Sequence, residues 1–264
     1  MPETQANGID IHYRFDGPEA APVVMLSNSL GTRLEMWDPQ IPALAARYRV
    51  LRYDSRGHGR TTVPDGPYSI GLLAEDAIAL LDRLGIERAH FCGLSKGGMV
   101  GQVLGAEHGD RILTLTLCAT ACQLGPKDLW NERIAAVIEK GMPAVAEGVI
   151  ERWLTRRYRQ SAPAEVEHVR KMILETPAKG YAACCAAIRD MDLCGVLGRI
   201  RVPTLVVAGE DDPATPPDVV REVHGRISGS RFVVIPRAAH LLNIEQAETF
   251  DRTLLEFLDQ RTKN

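Results

Sequence analysis

The sequence predicts an α/β fold in which a mostly parallel sheet carries helices on both faces. Strand and helix patterns alternate along most of the chain, which is the order that a parallel sheet with crossover helices requires. Several strand patterns are short, continuously apolar runs, as expected for strands that are covered on both faces. The 264 residues, of which 45% are apolar and 25% charged, suit one large globular domain.

Eight strands are predicted, and the first two form a hairpin at the edge of the sheet. The turn-prone residues Asn7 and Gly8 lie between two extended runs, which is typical of a two-residue hairpin loop. The next two strands are expected at residues 23–26 and 48–53. Between them, Asp38 is followed by a proline and is expected to begin a helix.

The rest of the alternation follows the same rules. Ser69 is expected to cap a helix whose apolar residues recur at helical spacing. The remaining strands are predicted at residues 90–94, 112–119, 204–208 and 232–235, with helices at residues 96–106 and about 245–258.

A long helical segment interrupts this alternation. Strand signals stop between residues 121 and 201, and helical patterns fill the gap, the longest spanning residues 143–158. The segment is too long for a loop. We therefore predict a helical lid at residues 121–201, called the helical insertion below, and a core formed by residues 1–120 and 202–264.

Charge and composition argue against several kinds of partner. The net charge of −3 is too small to favour nucleic acid or a membrane surface. The N-terminal segment has neither the basic start nor the apolar run of a secretory signal, and no apolar stretch reaches the roughly 18 residues of a membrane-spanning helix. A cytoplasmic protein is therefore expected, without cofactor or metal, and the choice between monomer and homodimer stays open.

The six cysteines are expected to be reduced and mostly buried, because the chain is large and carries no export signal. None of their spacings is typical of a metal site. They are Cys92, Cys118, Cys122, Cys184, Cys185 and Cys194.

The strongest functional signal is the sequence Gly-Leu-Ser-Lys-Gly at residues 93–97, a G-x-S-x-G between a predicted strand and a predicted helix. A sharp strand-to-helix turn holds such a serine in strained dihedral angles and lifts its Oγ above the edge of the sheet. The residues at the two flanking positions must be small, as glycine is, because the chain nearly touches itself there. Ser95 is therefore the predicted nucleophile.

A serine nucleophile needs a base, and the base needs an acid that orients it. His240 follows the last predicted strand, at the rim where parallel strands end, and is the predicted base. Asp212 follows the preceding strand and is the predicted acid, with its neighbour Asp211 as the alternative. This order along the chain, nucleophile then acid then base, is the one expected when the serine lies in such a strand-to-helix turn.

The oxyanion formed during acyl transfer needs two backbone N–H donors. We predict that these belong to Lys96, directly after the nucleophile, and to Leu30, in the loop after the strand at residues 23–26. The charge of the Lys96 side chain is expected to raise the local positive potential only slightly if the side chain points to water. His58 lies in a nearby loop, and a structural role is expected for it.

Seven segments of the chain resemble the 3-oxoadipate enol-lactonases, which are α/β-hydrolases of bacterial aromatic-acid breakdown. The segments containing the serine motif and RGHG are shared by many hydrolases. Two patterns are more specific to this family: LSNSLGT followed by MWDPQ, and Trp130 three residues before Arg133. Asn28 and Ser29 replace the His-Gly of many hydrolases, a change expected within this family. The matching segments are LSNSLGTRLEMWDPQ, YDSRGHGRT, FCGLSKGGM, LWNERIAAVIEKGM, ERWLTRRY, GEDDPATPP and AAHLLNIEQ.

The resemblance implies the α/β-hydrolase fold and a small anionic substrate, a five-membered enol-lactone with an acetate arm. Such a substrate needs one cation for its carboxylate. Arg133 is the first choice, because a guanidinium binds a carboxylate through two parallel hydrogen bonds. Trp130, one helical turn earlier, is expected to form a wall against the ring. Arg33 is the weaker alternative to Arg133, and Trp153 is expected to pack within the lid.

Two other functions use the same residues. One is a general serine carboxylesterase, another lactonase or a perhydrolase, which differs only in the contacts that the insertion makes with substrate. The other is a receptor of hydrolase fold that binds a small ligand with slow or no turnover. An aspartate-nucleophile hydrolase is disfavoured by the serine at position 95.

Overall fold

The computed structural model describes residues 2–262, and within them eight strands form one mixed sheet. The spatial order is β1-β2-β4-β3-β5-β6-β7-β8, with antiparallel pairing at β1–β2 and β2–β4 and parallel pairing between the remaining neighbours. The predicted mostly parallel eight-stranded sheet is therefore confirmed. The strands are β1 (Glu3–Ala6), β2 (Ile9–Asp16), β3 (Val23–Ser27), β4 (Arg49–Tyr53), β5 (Ala89–Leu94), β6 (Ile112–Cys118), β7 (Thr204–Gly209) and β8 (Arg231–Ile235).

The edge hairpin depends on its two turn residues. Asn7 and Gly8 have φ angles of 47° and 75°, and a two-residue turn with positive φ at both positions matches the twist of the flanking strands. Ala6 pairs directly with Ile9 across this turn. The predicted hairpin is confirmed.

The strand β7 shows that helices cover both faces of the sheet. Successive side chains of a strand point to opposite faces, and here they pack in different cores. Leu205 and Val207 belong to the main core, whereas Val206 and Ala208 pack with Val220 of a neighbouring helix in a second core. All six residues of β7 are buried, which explains the continuous apolar run in the sequence.

The helices that flank the sheet begin and end close to the predicted positions, with two differences. Ser69 accepts a hydrogen bond from the Leu72 N–H at 3.0 Å, as predicted for a helix cap. The prediction that a helix begins at Asp38 is wrong: a 3-10 helix already begins at Leu34 and ends at Gln40, and a short α-helix follows it. The closing helix is interrupted at Gln246. These helices are α1 (Ile41–Leu44), α2 (Ile70–Arg83), α3 (Lys96–Glu107), α9 (Pro217–Arg226), α10 (Leu242–Glu245) and α11 (Ala247–Thr262).

The helical insertion contains five α-helices and, within residues 121–201, no strand. The single helix expected over residues 143–158 is wrong. Leu154 is extended, and the Thr155 side chain caps a new helix by accepting from the Tyr158 N–H at 3.1 Å, a local hydrogen bond that competes with helix continuation. The five helices are α4 (Lys127–Lys140), α5 (Pro143–Trp153), α6 (Arg156–Ser161), α7 (Pro163–Glu175) and α8 (Ala178–Asp190).

The two ends of the insertion are joined covalently. Cys122, just after β6, forms a disulfide with Cys194, just after α8, and the Leu193 N–H donates to the Cys122 carbonyl at 2.8 Å. The expectation that all six cysteines are reduced is therefore wrong for this pair, because a contact between residues 72 positions apart leaves no sign in local sequence. The other four are buried and free.

None of the helices in the described part of the chain combines the length and the apolar character needed to cross a bilayer.

Candidate active site

Ser95 lies in a strained turn between β5 and α3. Its φ of 56° and ψ of −112° are unusual for a residue with a side chain. The turn is held by the Ser95 N–H, which donates to the Cys118 carbonyl at 2.8 Å, and by the Thr120 hydroxyl, which donates to the Ser95 carbonyl at 2.9 Å. These bonds fix the serine at the carboxyl end of a central strand.

The glycines on either side of Ser95 are required by close backbone contacts. A Cβ on Gly93 would lie 2.1 Å from the Gly97 carbonyl oxygen, and a Cβ on Gly97 would lie 2.2 Å from the Ser27 carbonyl oxygen. Either side chain would force β5 away from α3 or α3 away from β3. The close self-approach predicted from the G-x-S-x-G pattern is therefore present.

An acid and an imidazole meet beside this turn. The Nδ1 of His240, after β8, lies 2.8 Å from Oδ2 of Asp212, after β7. Asp212 also accepts from the backbone N–H of Thr215 at 3.1 Å and from its hydroxyl at 2.7 Å. Burial raises the pKa of Asp212, but the charge of His240 and these hydrogen bonds outweigh it and lower that pKa. The alternative acid, Asp211, is exposed and makes no such contact.

Ser95 and His240 border the same cavity. Among the described residues, the serine hydroxyl and the imidazole are not hydrogen-bonded to each other. Catalytic hydrogen bonds are often long in an enzyme without substrate and tighten when substrate binds. The structure thus brings the predicted base to the cavity in which the predicted nucleophile lies.

The loop that carries Leu30 is fixed by buried side chains on either side. Asn28 donates to the Tyr53 carbonyl at 2.8 Å and accepts from the Trp37 indole at 2.9 Å. The Gly31 N–H donates to Nε2 of His58 at 2.9 Å. The Leu30 N–H, between these anchors, forms no backbone hydrogen bond within residues 2–262, so it is free for an oxyanion.

His58 is buried and held as a neutral acceptor. Burial, and next the charge of Lys96, lower its pKa well below the ordinary value. The protonated ring has no lone pair with which to accept from Gly31. The structural role expected for His58 is therefore specific, because it holds the loop next to Leu30.

The Lys96 side chain does not point to water. It is 1% exposed, and burial lowers its pKa. The expectation of a minor effect assumed that this side chain points to water, and that assumption is wrong. Its backbone N–H lies at the start of α3, where helix N–H groups lack partners inside the helix.

The cavity has a volume of about 220 Å³, which is small for a ligand site. Its walls mix apolar side chains with a few polar groups from both the core and the helical insertion. They are formed by Ser29, Leu30, Ser95, Met99, Leu124, Gly125, Leu129, Trp130, Arg133, Arg152, Trp153, Tyr181, Ile188, Pro213, Ala214, Thr215 and His240.

Two arginines of the insertion line this cavity. Arg133, predicted from the sequence, is half-buried, and its guanidinium carbon lies 4.9 Å from the centre of the Trp130 ring. Arg152 was missed, because in the run ERWLTRRYR nothing marks it from solvent-facing arginines. Neither forms an ion pair with an acidic residue of the described chain. Burial, and next the charge of Arg133, lower the pKa of Arg152.

Two buried hydroxyl groups also line the cavity. Ser29 Oγ has no hydrogen-bond partner within residues 2–262, and buried hydroxyls without a partner are uncommon. The Tyr181 hydroxyl lies beside the guanidinium of Arg133. Burial raises the pKa of Tyr181, and the nearby Arg133 and Arg152 oppose that rise only in part.

The two remaining predicted positions differ from expectation. Trp153 does not simply pack within the lid, because its ring stacks on that of His240, with centroids 6.1 Å apart and planes at 26°. Arg33 does not line the cavity, and it is paired with Glu35 and Glu175. Arg33 is therefore not available as the substrate cation.

In the described part of the chain, one group of side chains meets the distance requirement for holding a metal ion. The sulfurs of Cys122 and Cys194 and a carboxylate oxygen of Glu222 lie within 4.8 Å of one another. The two sulfurs are bonded to each other, so the thiolates that a metal needs are not formed. None of the three residues lines the cavity.

Comparison with known proteins identifies the family. The family model described as the alpha/beta hydrolase fold matches residues 22–247. The chain belongs to the α/β-hydrolase family. This α/β-hydrolase is also 36% identical to 3-oxoadipate enol-lactonase 2 of Acinetobacter baylyi, over 94% of its own length and 93% of the relative's. It is 37% identical to 3-oxoadipate enol-lactonase 1 of the same organism, over 94% and 92% of the two lengths.

A solved structure supports the same relationship. The crystal structure of the enol-lactonase from Burkholderia xenovorans LB400 matches this α/β-hydrolase with a TM-score of 0.96 and 43% identity, over 98% of this chain and 100% of the other. The predicted resemblance is therefore confirmed, and the protein is an enzyme of the hydrolase class.

Proposed function

We propose that this α/β-hydrolase opens the ring of 3-oxoadipate enol-lactone to give 3-oxoadipate, a step of aromatic-acid breakdown through the β-ketoadipate pathway. One observation carries the proposal: Arg133 and Arg152, both without acidic partners in the described chain, line the cavity that also contains Ser95 and His240. A neutral ester leaves both charges unmatched, whereas a lactone with an acetate arm supplies a carboxylate. The enol-lactonases among the relatives support the same substrate.

The proposed mechanism begins with attack of the Ser95 hydroxyl oxygen on the lactone carbonyl. His240 takes the proton, and Asp212 holds the imidazole at 2.8 Å and stabilises its positive charge. The N–H groups of Leu30 and Lys96 bind the oxyanion of the tetrahedral intermediate.

The ring C–O bond then breaks, and the leaving group is an enolate, which His240 protonates. An enolate is a better leaving group than an ordinary alkoxide, and its enol relaxes to a ketone, which makes ring opening effectively irreversible. Water, activated by His240, hydrolyses the acyl-enzyme and releases the second carboxylate. We propose that these steps need neither metal nor cofactor.

The substrate is held by the cavity walls contributed by the insertion. Arg133 and Arg152 bind the carboxylate, the half-buried Trp130 lies against the ring, and the Tyr181 hydroxyl, beside Arg133, donates to a substrate oxygen. A cavity of about 220 Å³ fits a substrate of this small size.

Loss of the ultraviolet absorbance of the enol-lactone on addition of purified protein tests the proposal. We expect rapid loss with the wild type and none with Ser95→Ala, which also fails to form an adduct with a serine-directed fluorophosphonate. Labelling of Ser95→Ala would contradict the nucleophile assignment. Hydrolysis of a neutral p-nitrophenyl ester without any lactone opening would favour a general esterase, and binding without turnover would favour a receptor.

The role of the cation is tested by Arg133→Ala. We expect this variant to lose activity on the anionic lactone far more than on a neutral ester. The control is Arg156→Ala, which removes an exposed arginine of the insertion outside the cavity. Equal losses on both substrates would contradict carboxylate binding by Arg133.

A further inference from the structure

The segment around His240 is connected to the helical insertion on both sides of the imidazole, directly on one side and through Glu245 on the other. On one side, the Leu241 N–H donates to the Trp153 carbonyl at 3.0 Å. On the other side, the Ala239 N–H donates to a carboxylate oxygen of Glu245 at 3.0 Å. The base is therefore not held by Asp212 alone.

Glu245 connects this segment to the insertion. The same oxygen that accepts from Ala239 accepts from the Thr155 N–H at 3.0 Å, and the second oxygen accepts from the Thr155 hydroxyl at 2.7 Å. Glu245 is 7% exposed, and its carboxylate thus satisfies three donors from two distant parts of the chain. Buried hydrogen bonds to a charged group are among the stronger ones in proteins.

The same part of the insertion contacts the imidazole itself. Trp153 precedes Thr155 by two residues in the chain, and its ring stacks on the ring of His240. A flat ring packed against an imidazole restricts its rotation. Glu245, by fixing Thr155 relative to Ala239, also fixes this stacking.

We infer that Glu245 is a positioning residue, whose carboxylate ties Thr155 of the insertion to Ala239 and so holds the imidazole of His240 in the orientation needed at Ser95. The inference rests on the proposed function in taking His240 as the base. It assigns the insertion a part in catalysis itself, besides substrate recognition. Glu245 touches neither substrate nor reacting atoms in this scheme and acts through His240.

The test compares Glu245→Ala with Glu245→Gln. Alanine removes all three bonds, and a displacement of about 1 Å in a catalytic group costs about 100-fold in rate, so we expect kcat to fall about 10- to 100-fold, with KM within about twofold. Glutamine keeps the oxygen that accepts both N–H groups, and its amide donates to the Thr155 hydroxyl. We expect this variant to restore most of kcat.

A matched control separates positioning from general destabilisation. Asp16→Ala removes another largely buried carboxylate, which pairs with Arg52 on the neighbouring strand β4, and should leave kcat unchanged when folding is verified by thermal unfolding. Wild-type kcat in a folded Glu245→Ala, or equal losses in Glu245→Ala and Glu245→Gln, would overturn the inference.

If Glu245→Ala does not fold, Thr155→Val and Thr155→Ser replace it. Valine removes the hydroxyl donor and should lower kcat several-fold at constant KM, whereas serine keeps that donor and should restore it. Unchanged kcat in Thr155→Val would overturn the inference.

The rate of fluorophosphonate labelling of Ser95 provides a readout that does not depend on the lactone. Labelling requires the base but not the proposed substrate. If the wild type hydrolyses only a neutral ester, the proposed substrate fails, while Glu245→Ala is still expected to label more slowly than the wild type. If the wild type is not labelled, the nucleophile and base assignments fail together with the inference.

Discussion

Replacing Arg152 with methionine tests whether the two unpaired arginines recognise an anion. Methionine has a similar length and apolar character but no charge. Arg152 is half-buried in the cavity wall, and its pKa is lowered by burial and by the charge of Arg133. The two guanidiniums therefore repel each other, and a bound carboxylate relieves that repulsion.

The expected magnitude follows from the loss of one charge-assisted contact. A hydrogen bond to a charged group contributes about 1.5–3 kcal/mol, which corresponds to roughly 10- to 150-fold in binding. Removing Arg152 also removes its repulsion with Arg133, which offsets part of the loss. We therefore expect kcat/KM for the anionic lactone to fall by about 10-fold, the lower end of that range.

The assay measures kcat/KM for the enol-lactone and for a neutral p-nitrophenyl ester with the same preparation. The ester should change by no more than about twofold, because it makes no charged contact. The effect on the lactone should shrink at high ionic strength, because salt screens half-exposed charges. Arg156→Met is the control outside the cavity. Equal losses on both substrates, or no loss on the lactone, would refute anion recognition by the pair.

Three further predictions concern stability and the oxyanion loop. The disulfide between Cys122 and Cys194 closes a loop of 72 residues' separation and should contribute up to about 4 kcal/mol; denaturant unfolding with and without reductant measures this, and equal stabilities would contradict it. Burial lowers the pKa of His90 to about 4, so between that value and about 6.5 the unfolded chain binds a proton that the folded chain does not, and stability should fall by up to about 3 kcal/mol as pH falls through this range. His90→Gln should weaken that dependence without abolishing it, because the pKa of His58 is lowered too; an identical pH profile would count against it. His58→Ala removes the acceptor of the Gly31 N–H and should lower kcat by about tenfold or more, but by no more than the loss of one oxyanion donor would. Wild-type kcat in this variant would show that the loop does not need this anchor.

The features predicted correctly from the sequence are those that depend on residues close together in the chain. Asn7 and Gly8 predict their hairpin because the turn requires positive φ at both positions. The glycines around Ser95 predict a close self-approach because only a residue without Cβ fits there. In each case the physical constraint acts within a few residues, so the pattern is visible in the sequence.

The features that were missed depend on contacts between distant segments. Cys122 and Cys194 meet only because the insertion returns to its starting point. Arg152 is distinguished from its neighbours only by facing the cavity, and no local pattern records that orientation. Lys96 is buried by the packing around the nucleophile turn, although an isolated helix start predicts exposure.

The end of α5 places two functions on adjacent residues. Arg152 lines the cavity as part of the proposed carboxylate site, and Trp153 stacks on the imidazole of His240. Neighbouring residues on one helix cannot move independently, because the backbone hydrogen bonds of the helix fix their relative positions. A shift of α5 that brings Arg152 to the carboxylate therefore also shifts Trp153 against the base. It follows that substrate recognition and orientation of the base are mechanically coupled: a substitution that displaces α5 as a whole should change kcat as well as KM, whereas Arg152→Met, which leaves the helix in place, should not disturb the base.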